Sequence, residues 1–83
     1  VIGNQFSVEV FPNPSEGKFT VYGLWFPVES MEVKNLLGKL VFSTSNIKPL
    51  SSNKIDLSSA PSGIYFLNVK TENGVAVKKI IKE

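Results

Sequence analysis

Gly63-Ile64-Tyr65-Phe66-Leu67-Asn68-Val69-Lys70-Thr71, then Glu72-Asn73-Gly74, then Val75-Ala76-Val77-Lys78-Lys79-Ile80-Ile81-Lys82, is the stretch that decides the fold. Its first run is apolar on both faces at its start, through Ile64, Tyr65, Phe66, Leu67 and Val69. That pattern predicts a central strand covered on both sides. Asn-Gly accepts the positive φ angles of a type I′ turn, so Glu72-Asn73-Gly74 predicts a hairpin returning the chain along a seventh strand, residues 75–82.

Working outward, the rest of the chain also alternates with period two, and helical periodicity is hard to find. Phe6, Val8 and Val10 alternate with Ser7 and Glu9 in a first strand that ends at Pro12. Phe19 and Val21 alternate with Lys18, Thr20 and Tyr22 in a second that closes at Gly23. Met31 and Val33 begin a third, and Gly38 marks a tight turn into a fourth over residues 39–43. The polar run 43–53, which contains Pro49, reads as a longer connection, and a short fifth strand covers 54–58. Seven short strands with no crossover helix predict an all-β fold: a seven-stranded antiparallel immunoglobulin-like β-sandwich without the disulfide of antibody domains.

Composition narrows the function. At 83 residues this is one small domain, and residues 1–5 read as the end of an upstream linker before a single sandwich over 6–83. The chain begins at Val1 with no signal-peptide pattern, as expected of a piece of a longer protein. No apolar run approaches the roughly 18–20 residues of a helical membrane span. All nine positive charges are lysines. Without arginine, the planar fork that reads guanine and phosphate bidentately is missing, which argues against sequence-specific nucleic-acid binding. Histidine and cysteine are absent, so the common general base, the thiol nucleophile and the usual zinc ligands are all missing. Glu29 and Glu32, three apart on a strand, fall on opposite faces and make no carboxylate pair. The chain therefore reads as non-catalytic, with no cofactor and no metal site; Asp56 alone is too little for calcium.

Three stretches remain as candidates for recognition, and each has a plain structural explanation beside it. Pro12-Asn13-Pro14 with Gly17 makes a rigid turn, or a stiff exposed loop that a partner binds with little loss of entropy. Asp56-Leu57-Ser58 and Pro61-Ser62-Gly63 suit turns leading into the central strand. Lys78, Lys79 and Lys82 on the last strand guard an edge against aggregation, or offer it to a partner that adds a strand. A fourth candidate, Trp25 with Phe26 in a loop, caps the core or forms a platform for a sugar or protein ligand.

In this order the stretches resemble the type A C-terminal sorting domain of the type IX secretion system, the Por secretion family. The opening motif is matched by Pro12-Asn13-Pro14, Gly17 and Phe19-Thr20-Val21, and the Gly-Lys hairpin by Gly38-Lys39-Leu40-Val41. The late block is matched by Ile55-Asp56-Leu57-Ser58 and Pro61-Ser62-Gly63-Ile64-Tyr65-Phe66-Leu67, and the closing strand by Lys78-Lys79-Ile80-Ile81-Lys82. One departure is Asn35, where such domains often carry Asp three residues before the hairpin glycine.

The resemblance implies an address label for a cargo domain upstream in the same chain. The parent protein would pass through the periplasm and then be secreted or attached to the outer cell surface. Its partners would be the outer-membrane type IX machinery and a sortase-like processing protease that cuts upstream of the sandwich. The residues expected to face that machinery are Gly63, Ile64, Tyr65, Lys78, Lys79, Ile80, Ile81 and Lys82, with Pro12, Asn13, Pro14, Gly17, Gly38 and Asp56 as motif turns. The alternative is an accessory adhesive or carbohydrate-binding sandwich that uses Trp25 and Phe26.

Overall fold

A computed structural model describes residues 8–22, 28–47, 52–72 and 74–83. Seven strands form two antiparallel sheets: β1 (Glu9–Phe11), β2 (Lys18–Tyr22), β3 (Val28–Asn35), β4 (Leu40–Ile47), β5 (Ser52–Asp56), β6 (Gly63–Thr71) and β7 (Gly74–Lys82). One sheet has the order β1-β2-β5 and the other β4-β3-β6-β7. Hairpins β1–β2, β3–β4 and β6–β7 join sequence neighbours, while the β2–β5 and β3–β6 pairings interlock them as in an immunoglobulin-like sandwich.

Alternation sets the core. Val10, Phe19, Val21 and Ile55 point inward from the first sheet, and Met31, Val33, Tyr65, Leu67, Val69 and Ile80 from the second. Truncating a fully buried side chain of this kind to alanine costs about 2–5 kcal/mol, a large share of the about 4–12 kcal/mol available to a domain of this length.

Four expectations change in detail. β4 runs on to Ile47 through part of what reads as a polar connection. It is an edge strand with an exposed face, so Ser43 and Ser45 point outward while Phe42 packs on the core. The fifth strand ends at Asp56 rather than residue 58, because the Asp56 carboxylate accepts the Ser58 N–H and bends the chain. The first begins at Glu9; Phe6 lies outside the described residues. β6 is central but covered on one side only: Tyr65, Leu67, Val69 and Thr71 are buried, whereas Ile64, Phe66 and Asn68 are half-buried. Lys34 and Lys79 flank Phe66 in register, and lysine stems commonly cover apolar surface in this way.

The β3–β4 hairpin turns on Gly38, whose φ of +84° suits glycine. Asn35 holds the turn as the expected Asp would. Its Oδ1 accepts the N–H groups of Leu37 and Lys39, both at 2.9 Å, and its carbonyl accepts Gly38 N–H. At the other hairpin, Thr71 pairs with Gly74, which leaves a two-residue connection; Asn73 itself is outside the described residues.

Candidate functional site

The chain beyond β1 does not stay with its own sheet. After Phe11 it crosses to the edge of the opposite sheet, where residues 13–15 lie along β7 as a short strap. Ser15 N–H donates to Ile81 O at 3.0 Å and Glu83 N–H to Ser15 O at 2.8 Å, a parallel bridge registered on Lys82. The Asn13 carboxamide copies a strand's hydrogen bonding. Its Nδ2 donates to Lys79 O at 3.0 Å, and its Oδ1 accepts Ile81 N–H at 2.9 Å. Both Phe11-Pro12 and Asn13-Pro14 peptide bonds are cis. The C-terminal half of β7 is therefore covered by a segment some 66–68 residues upstream, whereas among the described residues no strand pairs with the outer side of its N-terminal half.

The strap's other end is fastened to the late block. Ser15, buried, donates through Oγ to Lys18 O at 2.7 Å and accepts Gly17 N–H at 3.1 Å. Leu57 N–H donates to Gly17 O at 2.7 Å. Gly17 has φ +148°, and a Cβ there would lie 2.8 Å from the Ser58 backbone, so only glycine lets the two segments meet. Asp56 turns the chain beside it. Its carboxyl is held below the ordinary value by hydrogen bonds from the Ser58 hydroxyl and then the Ser58 N–H, with Lys18 adding a smaller attraction. A cleft of about 980 Å³ beside this junction is lined by Pro12, Pro14, Glu16, Asp56 and Glu83 among others. Tyr65 anchors the start of β6, its hydroxyl donating to Pro61 O at 2.5 Å, a corner of the kind found in many β-sandwiches.

All three sequence stretches thus meet in one place. Their side chains do not all share a surface. Lys79 is exposed, and Lys78, Ile81, Lys82, Gly63 and Ile64 are half-buried, whereas Ile80 and Tyr65 are core residues whose side chains face inward. Lys78 lies 4.0 Å from Glu9, an exposed pair that contributes little. Pro12, Asn13 and Pro14 are exposed, and Gly38 lies in the β3–β4 hairpin, at the same end of the sheet as the start of β6 but outside the strap junction. Trp25 and Phe26 fall outside the described residues. Sequence reading missed Ser15, whose buried hydroxyl and two backbone bonds hold the strap. It also missed Asn13 as a bridge to β7, because neither residue's type or spacing names a partner at the far end of the chain.

Among the described residues no group of three acidic side chains is placed to hold a metal ion, and no helix is long and apolar enough to cross a membrane. No curated protein matches the chain. The family model of the secretion system C-terminal sorting domain matches residues 9–83, from the first residue of β1 through the strap's last anchor. A match over nearly the whole chain means that it belongs to the type IX secretion C-terminal sorting domain family.

Proposed function

We propose that this domain is the non-catalytic export label of an upstream cargo, and that the secretion machinery reads the junction of the strap with the end of β7. Membership of the sorting-domain family supports export to the cell surface or medium. The observation that carries the finer reading is the strap itself, which brings Pro12 and Pro14 onto the same edge as Lys79, Ile81 and Lys82. Two distant motifs become one composite surface, preordered by backbone hydrogen bonds, so a partner loses little conformational entropy in binding it. In this reading the folded label passes the periplasm with its cargo and docks at the outer-membrane translocon. A sortase-like protease then cuts upstream of the sandwich, near or before residues 1–5.

The test fuses the 83-residue chain to a periplasmic reporter in a type IX-competent host and compares it with a Lys79→Glu/Lys82→Glu variant. Charge reversal at these side chains leaves the core untouched, unlike removal of residues 80–83, which takes away the fully buried Ile80. The variant should melt like the parent yet accumulate in the periplasm. Normal arrival at the surface with an unchanged melt would refute the assigned surface.

A further inference from the structure

Four sheet edges are present among the described residues; two are guarded along their whole length, and a third, β7, along its C-terminal half only. β7 is covered along its C-terminal half by the strap and carries Lys78, Lys79 and Lys82. β1 is three residues long, bears Glu9 and runs into Pro12. β5 bears Lys54 and Asp56. These are the usual protections against strand addition: shortness, charge, proline and a covering segment.

β4 has none of these four, and its one irregularity is the bulge at Val41 near its start. Its eight residues, Leu40-Val41-Phe42-Ser43-Thr44-Ser45-Asn46-Ile47, contain no charge and no proline, and among the described residues nothing pairs with its outer side. We propose that β4 is a self-association edge, pairing antiparallel with β4 of a second copy of this chain about a two-fold axis through Thr44. The occupant follows from the charge pattern. A strand without charges meets its own copy with no like-charge opposition, and antiparallel pairing of one strand with itself is the closed, isologous arrangement that dimers favour.

The register follows from the ladder. β4 pairs regularly with β3 from Ile47 to Phe42, and the register then shifts at Val41, which has no partner in β3. An axis through Thr44 pairs Phe42 to Asn46 within the regular run and leaves the bulged Val41 at its margin, opposite Ile47 of the partner subunit. It sets Thr44 against Thr44 of the partner subunit and Ser43 against Ser45 of the partner subunit. Ser43 and Ser45 both project from the outer face and are exposed. The two four-stranded sheets would then join as one. An edge contact alone falls below the area of a permanent dimer, so the association is weak and concentration-dependent.

Sedimentation equilibrium of the 83-residue chain up to about 1 mM tests this, with the expected result a rise from one to two copies. A Ser43→Lys/Ser45→Lys variant places lysine opposite lysine twice across the axis and should associate at least about tenfold more weakly. Ser43→Lys/Ser45→Glu places lysine opposite glutamate in the same register and should restore association to within about threefold of the parent. The lysine at position 43 has the same Glu32 neighbour in both variants, so the comparison isolates the contact across the axis. Amide exchange of the unsubstituted chain gives an independent measure: protection should rise with concentration within residues 42–46. A chain that stays monomeric throughout, a double-lysine variant that associates normally, failure of the lysine–glutamate variant to recover, or concentration-dependent protection confined to β7 would each overturn the proposal.

Discussion

Replacing Asn13 by alanine should loosen the end of β7 without touching the core. The side chain makes two hydrogen bonds with the β7 backbone, to Lys79 O and from Ile81 N–H, at 3.0 and 2.9 Å. A net hydrogen bond contributes about 0.5–1.5 kcal/mol, and both bonds are exposed, so water replaces part of what is lost. The expected loss is about 1–2 kcal/mol. For a domain of this size that lowers Tm by about 5–15 °C. Asn13→Asp separates the two bonds. It keeps an acceptor for Ile81 N–H but sets a carboxylate oxygen against the Lys79 carbonyl, so it should not restore parental stability at neutral pH. Thermal unfolding by circular dichroism gives Tm, and amide exchange of Ile81 reports the strap directly, with faster exchange expected while the amides of Leu67 and Val69 keep their protection. A Tm within about 1 °C of the parent together with unchanged Ile81 exchange would refute the idea that Asn13 fastens the strap.

Three further outcomes follow from the junction. Gly17→Ala should cost about 2–5 kcal/mol in urea unfolding, since the added Cβ both strains a φ of +148° and meets the Ser58 backbone at 2.8 Å. Tyr65→Phe removes the hydroxyl bonded to Pro61 O and should cost about 1 kcal/mol, read as a lower urea midpoint with an unchanged slope. The Asp56 carboxyl is held below its usual 3.8 in the folded domain by the Ser58 hydrogen bonds. Its stabilisation is therefore complete above that value and is lost as pH falls through the lower folded value. Stability measured from pH 6 downward should drop less at acid pH in Asp56→Asn than in the parent.

Much of the fold was legible in the sequence. Period-two alternation places Phe19, Val21, Met31, Val33, Leu67 and Val69 in the core, and Asn-Gly and Gly38 place two hairpins, because these signals are local. What misled was also local. The hydroxyl-rich half of β4 reads as a loop, since an edge strand with an exposed face needs few apolar residues to hold it. Ile64 and Phe66 read as a doubly buried strand, since a half-covered apolar face and a fully covered one have the same composition. The site was legible only as separate motifs. Pro12-Asn13-Pro14 announces a stiff turn, but nothing in residue type says that Asn13 bonds Lys79 and Ile81, because a sequence separation of 66–68 residues carries no periodicity.

The strap has a mechanical consequence as well. It runs parallel to β7, so tension applied between the strap's upstream end and Glu83 draws the two segments in opposite directions along their length. The four hydrogen bonds between residues 13–15 and 79–83 then carry the load together, in shear, and do not open one at a time as a peeled antiparallel hairpin does. Tension in that direction meets a clamp, whereas tension that lifts β7 away from β6 meets a zipper. The same domain would therefore resist tension applied from its upstream end and yield to a pull that takes hold of β7 from the side.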